Sequence, residues 1–274
     1  MKPRRKKRTK RRARRGIFVL PNLFTSASLF GGFFAIIASI QGRFEAAAVA
    51  IIISSVFDGL DGRIARFTQT TSHFGNEYDS LSDLISFGVA PGILAFLWAL
   101  EPFGRLGWLA AFMYVICGAL RLARFNVQKD VVKSKYFRGL PIPAAACFVA
   151  SAVLFTSALS GISTIVPIAV IVMIYALSFL MVSTINYFSF KEFDIRHKKP
   201  FNVLVSIILV LVLVAYKPKI ILFFTLLSYV FSGPLITLYR KSAKRSKMSA
   251  PGFDAPALRD EEDMAGVNEQ ELTR

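Results

Sequence analysis

The chain has 274 residues, 54% of them hydrophobic, with 26 Phe and a mean hydropathy of +0.51. That composition excludes an ordinary soluble domain. The formal net charge of +17 is concentrated at one end, with eleven Lys/Arg in residues 1–16. Directly before an apolar run, such an arm reads as an anchor on anionic membrane lipid, and no nucleic-acid partner is expected. The arm is expected to be disordered.

The first apolar run, 17–40, is too long for a secretory h-region and lacks a small-residue cleavage site, so it is expected to be retained as a helix. Further candidate spans follow at 45–67, 79–100, 106–125, 142–160, 164–184, 201–216 and 219–239. The linkers at 160–163 and 217–219 are short and predict helical hairpins. The expectation is an all-α polytopic membrane bundle of about eight transmembrane helices with both termini cytoplasmic. Charge supports that orientation. With the N-terminus inside, thirty of the 34 Lys/Arg fall on the inner side, leaving Arg43, Arg105, Lys217 and Lys219 outside. Four segments result: a basic arm at 1–16, a six-helix core at 17–184, two additional helices at 185–239, and a tail at 240–274. The tail, rich in Pro, Gly, Asp and Glu after Met248, is expected to be disordered. Cys117 and Cys147 lie in apolar segments and read as small hydrophobes, with neither a disulfide nor a metal role.

Four aspartates interrupt this apolar pattern. Asp58 and Asp61 are i,i+3 on the second span, and Asp79 and Asp83 are i,i+4 on the third, so each pair shares a helix face. The eleven residues at 68–78 join the two ends at one membrane surface. Carboxylates at a membrane are costly and are functional candidates by default. Four of them converging would repel one another unless hard cations were shared between them. Mg²⁺ suits a few carboxylates plus substrate phosphate, and two such ions would leave positions open for a diphosphate. Gly62 and Gly75 remove side chains where a helix or ligand approaches closely. Ala65 keeps that face small, and Arg66, one turn beyond, can hold a phosphate bidentately. His73 reads as a solvated loop residue, and Glu77 as a complement to the dipole of a helix's first turn.

The pattern D-x-x-D-G-x-x-A-R-x₈-G-x₃-D-x₃-D, from Asp58 to Asp83, resembles the signature of the CDP-alcohol phosphotransferase family of integral membrane enzymes. Further stretches narrow the resemblance. These are Leu20-Pro21-Asn22-Leu23-Phe24-Thr25, Ser86-Phe87-Gly88-Val89-Ala90-Pro91, Cys117-Gly118-Ala119-Leu120-Arg121-Leu122-Ala123-Arg124-Phe125-Asn126 and Phe137-Arg138-Gly139-Leu140-Pro141-Ile142-Pro143-Ala144. Together they look like the phosphatidylserine synthase branch. The similarity runs from about 17 to 160, while the last spans match only in being apolar. Arg121, Arg124 and Arg138 flank the loop between spans four and five. They suit either a substrate carboxylate or an ordinary inner-surface role. Asn126 reads as a substrate contact or a helix cap. Asn22 and Thr25 would reach the nucleotide or satisfy backbone freed by Pro21.

The resemblance implies transfer of a phosphatidyl group from CDP-diacylglycerol to L-serine, giving phosphatidylserine and CMP. It implies Asp58, Asp61, Asp79 and Asp83 as ligands of two divalent ions, Mg²⁺ or Mn²⁺, with Asp83 also the general base. It further implies a homodimer in the cell (inner) membrane with its active site facing the cytoplasm. Two alternatives stand beside this. One is a transferase of the same family using glycerol 3-phosphate or inositol phosphate. The other is a divalent-cation transporter, against which the carboxylates lie at one interface rather than the midplane.

Overall fold

A computed structural model describes residues 6–67, 72–129, 137–159, 166–187 and 217–248. The expected span at 201–216, the 160–163 linker and most of the acidic tail lie outside the described residues. The elements in order are α1 (Lys6–Ile40), α2 (Phe44–Phe67), α3 (His73–Asp83), a π-helical turn (Leu84–Val89), α4 (Ala90–Ala95), a second π turn (Phe96–Leu100) and a 3₁₀ turn (Glu101–Phe103). Then come α5 (Arg105–Lys129), β1 (Phe137–Arg138), α6 (Ile142–Ala158), α7 (Val166–Val182), β2 (Asn186–Tyr187) and α8 (Pro218–Met248). The helical architecture expected from sequence holds among the described residues, apart from the two-residue antiparallel pairing of β1 with β2. Residues up to Pro234 form one compact unit, and Leu235 onward a second, of which the end of α8 is described.

Among the described residues, four helical runs are long and apolar enough to cross a membrane: Pro21–Ile40, His73–Phe103, Arg105–Val127 and Pro218–Thr237. Helices α6 and α7 are apolar but have 17 residues each. Helix α2 has the length, at 24 residues, but carries Glu45, Asp58 and Asp61. Two expectations need correcting. The basic arm, expected to be disordered, is helical from Lys6, because Lys and Arg are good helix formers and extend the apolar helix that follows. The third span begins at His73 rather than 79, because the Ser72 hydroxyl accepts from the Gly75 N–H at 3.0 Å and caps a helix in what read as a loop.

The helices pack as lipid-embedded helices do, through small residues that let backbones approach. Gly31 of α1 lies against Ala50 and Ser54 of α2, where an added Cβ would strike Ser54 Oγ, and Ala35, Ala38 and Ala47 are buried along the same two helices. A Cβ at Gly32 would lie 2.6 Å from Ser86 Cα. Two serine hydroxyls sew α1 to the segment carrying the later aspartates: Ser82 donates to Thr25 O at 3.2 Å and Ser86 to Ser28 O at 3.1 Å. Large side chains such as Ile51, Phe87, Leu94, Ile142 and Ile174 fill the interior, while Phe30, Phe33, Val56, Phe112 and Phe179 point outward.

The helix carrying Asp79 and Asp83 widens immediately after Asp83. Across Leu84–Val89 the pattern is i→i−5, with the Ala90 N–H donating to Ile85 O. Pro91 has no N–H to offer the carbonyl four residues back. That carbonyl, Phe87 O, accepts the hydroxyl of the fully buried Tyr114 at 3.2 Å.

A corner beyond α5 ties three helices together. Gly139, at φ +82, turns the chain so that its N–H reaches Ile185 O at 2.8 Å and the Leu140 N–H reaches Leu180 O at 3.1 Å. Met181 O and Ser183 O stand where a Cβ at Gly139 would go. Arg124 Nη1 donates to Val182 O at 3.2 Å, satisfying a carbonyl in the last turn of α7. Tyr187 is fully buried and donates to Val230 O of α8 at 3.1 Å.

Candidate active site

The second half of α2 and the last two turns of α3 present the four aspartates to one another. One carboxylate oxygen each of Asp58, Asp61 and Asp79 lies within 4.8 Å of the other two. Asp83, one turn beyond Asp79, is within hydrogen-bonding reach of Asp58. Asp61 is 5% exposed, and the 4%-exposed Thr25 donates its hydroxyl to Asp61 Oδ2 at 2.9 Å and to Pro21 O at 3.2 Å. Like charges so close and so shielded repel strongly. The donor set, carboxylate oxygens without sulfur or imidazole, fits a hard divalent cation. Oxygens around one such ion stand at most about 4.2 Å apart for a metal–oxygen bond of about 2.1 Å. The observed 4.8 Å spread therefore needs only a small contraction.

The neighbouring residues divide into those at the cluster, those that brace it, and those whose side chains are not described. At Gly62 an added Cβ would meet no described residue within 4 Å, so among the described residues the absent side chain serves no helix packing and leaves an open face beside Asp61. At Gly75 a Cβ would come within 3.4 Å of Asn22 Oδ1 and 3.1 Å of Ser72 Oγ, so this glycine lets α1 and the start of α3 close together. Asn126 Nδ2 donates to Ser80 Oγ at 2.9 Å, bracing α3 between its two aspartates. Arg121 is 9% exposed, and Asp83 and Tyr229 both lie within electrostatic reach of it. Arg124 is occupied at the end of α7, as above. The side chains of Ala65, Arg66 and Arg138 lie outside the described residues. His73 is exposed, as expected of a solvated residue, but opens a helix rather than lying in a loop. Glu77 does not complement a first turn: α3 begins at His73 and has no acidic residue there.

Sequence reasoning missed three participants. Ser80 gives Asn126 its partner but is one of many serines in the chain. Cys147 of α6 lies within hydrogen-bonding reach of Ser55 and electrostatic reach of Asp58, so α6 packs beside the turn of α2 that carries Asp58. Tyr229 lies in a helix whose only sequence signal is apolarity.

The family model for CDP-alcohol phosphatidyltransferase matches residues 18–182. The chain is 40% identical over 198 residues to a CDP-diacylglycerol–serine O-phosphatidyltransferase of Helicobacter pylori, covering 72% of this chain and 83% of that protein. It is 35% identical over 174 residues to the enzyme of that name from Bacillus subtilis, covering 63% of this chain and 92% of the other. It is 42% identical over 172 residues to an archaetidylserine synthase of Methanothermobacter thermautotrophicus, covering 61% of this chain and 69% of the other. All four aspartates, their glycines and Arg66 fall inside the matched segment, and the chain belongs to the CDP-alcohol phosphatidyltransferase family.

Proposed function

We propose that this protein transfers the phosphatidyl group of CDP-diacylglycerol to the hydroxyl of L-serine, releasing CMP and forming phosphatidylserine. The observation that carries the reading is the convergence of Asp58, Asp61 and Asp79 within 4.8 Å, with Asp83 alongside. The serine acceptor is supported by the names of the Helicobacter and Bacillus relatives.

Asp58, Asp61 and Asp79, with Asp83 beside them, would hold the divalent ions. Mg²⁺ or Mn²⁺ bound there would supply positive charge for the diphosphate and for the departing CMP. Thr25 fixes the Asp61 carboxylate through its hydroxyl. The open face at Gly62 gives the diphosphate room against the helix, and Arg66, a turn further on, binds its oxygens. Asp83 takes the proton of the serine hydroxyl, and that oxygen attacks the phosphorus nearer the diacylglycerol. The new oxygen–phosphorus bond forms as the bond to the CMP phosphate oxygen breaks. Asn126, through Ser80, keeps α3 and both of its aspartates in register. Arg121 supplies positive charge for the serine carboxylate.

In the membrane the reading is an eight-span inner-membrane homodimer with both termini and the aspartates on the cytoplasmic side. The charge asymmetry supports that orientation, with thirty of 34 Lys/Arg on the inner side. The donor enters laterally with its tails in lipid, serine enters from the cytoplasm, and the basic arm rests on anionic headgroups.

An acceptor panel tests this. Purified protein with CDP-diacylglycerol and Mg²⁺ is offered serine, glycerol 3-phosphate or inositol phosphate, and CMP is measured. Release with serine alone is expected. Release with glycerol 3-phosphate but not serine would overturn the acceptor, and no release with any acceptor would leave cation transport as the better reading.

A further inference from the structure

Arg121 stands out among the described cations. It is 9% exposed, and its Nε has no hydrogen-bond partner among the described residues. A buried donor left unpaired on a charged group is costly, so a structure that keeps one needs a reason to do so. Asp83 and Tyr229 are both within its electrostatic reach. Tyr229 comes from α8, beyond the 18–182 segment that the family model matches.

Its place there is fixed by the corner described above. The Tyr187 hydroxyl holds Val230 O at 3.1 Å, and its ring stands 5.8 Å from that of Tyr229. The same ring fills the space left by the missing side chain of Gly233, where a Cβ would fall 2.5 Å from Tyr187 Cε1. Tyr187 is in turn registered against Phe137 by the β1–β2 pairing. The strand pair thus clamps the part of α8 that carries Tyr229, within electrostatic reach of Arg121.

We propose that Arg121 and Tyr229 together seat the carboxylate of the acceptor, so that α8 takes part in choosing the alcohol. This rests on the serine reading above. Arg121 offers charge and donors, and the Tyr229 hydroxyl donates a further hydrogen bond to the same carboxylate. The acceptor's hydroxyl then falls on the Asp83 side, where its proton is taken. The aspartate cluster handles the diphosphate, which is common to every CDP-alcohol donor. A residue outside that cluster and outside the shared segment can discriminate among acceptors without disturbing the metal site.

The test is Tyr229→Phe, which keeps the ring and removes only the hydroxyl. Initial rates are measured against serine, against CDP-diacylglycerol, and with L-serinamide, which has the hydroxyl but no carboxylate. The expected result is a serine KM raised about tenfold, an unchanged KM for CDP-diacylglycerol, and a preference for serine over L-serinamide reduced by a similar factor. An unchanged serine KM and preference, in a preparation whose unaltered enzyme makes phosphatidylserine, would overturn the inference and leave the serine reading intact. An equal rise in both KM values would also overturn it, since that marks a general disturbance. If the unaltered protein releases no CMP with serine, the serine reading fails first and the inference falls with it.

Discussion

Thr25→Val probes how the carboxylate cluster is held. Valine has nearly the shape of threonine but cannot donate to Asp61 Oδ2, a bond of 2.9 Å between residues 4% and 5% exposed. Hydrogen bonds to charged groups contribute about 1.5–3 kcal/mol. At about 1.4 kcal/mol per decade this is roughly a ten- to hundredfold effect. It is also the range found when a partner that orients a metal ligand is removed. The lost bond to Pro21 O adds little, because that carbonyl keeps its place in the α1 ladder. The assay is CMP release as a function of Mg²⁺ concentration at saturating substrates. The half-saturating Mg²⁺ concentration should rise about ten- to hundredfold, with much of the rate regained at high Mg²⁺. A curve superimposed on that of the unaltered enzyme would refute the reasoning. So would a loss of rate at every Mg²⁺ concentration with the half-saturation point unmoved.

Three further outcomes are expected. Tyr114→Phe removes the donor that Phe87 O receives in the segment where Pro91 has no N–H, and should lower stability by about 1 kcal/mol in a detergent melt. Gly32→Ala forces a methyl to within 2.6 Å of Ser86 Cα and should cost about 1–3 kcal/mol, with activity falling as α1 is pushed away from the aspartate-bearing segment. Lys219→Ala breaks a 2.8 Å ion pair with Glu45, but those side chains are 39% and 55% exposed, so the melt should move by less than the equivalent of about 1 kcal/mol and turnover should be unchanged.

The chemistry was legible in the sequence because it is written as spacing. Asp58 and Asp61 at i,i+3, and Asp79 and Asp83 at i,i+4, need only helical geometry to share faces. The short link between the spans needs only topology to bring those faces together. Gly62 illustrates the limit of this: the sequence allowed either helix packing or ligand approach, and only the empty space around it separates them. The start of α3 was misplaced because Ser72-His-Phe-Gly-Asn-Glu has no apolar period, while a single hydroxyl on the Gly75 N–H suffices to begin the helix. The widening after Asp83 and its support by Tyr114 depend on a residue 27 positions away along the chain, a pairing that local patterns do not encode. Tyr229 was invisible for the same reason. Its position follows from a two-residue ladder and one buried tyrosine, not from its own neighbours in sequence.

The central claim is that these four aspartates perform the transfer, with Asp83 taking the acceptor proton. The most direct measurement is the yield of isotope-labelled phosphatidylserine from labelled serine, comparing the unaltered enzyme with Asp83→Asn at saturating Mg²⁺ and CDP-diacylglycerol. Labelled lipid and matching CMP are expected from the unaltered enzyme. Neither is expected from the variant, although the variant still binds CDP-diacylglycerol. Labelled phosphatidylserine from Asp83→Asn at a rate near that of the unaltered enzyme would contradict it.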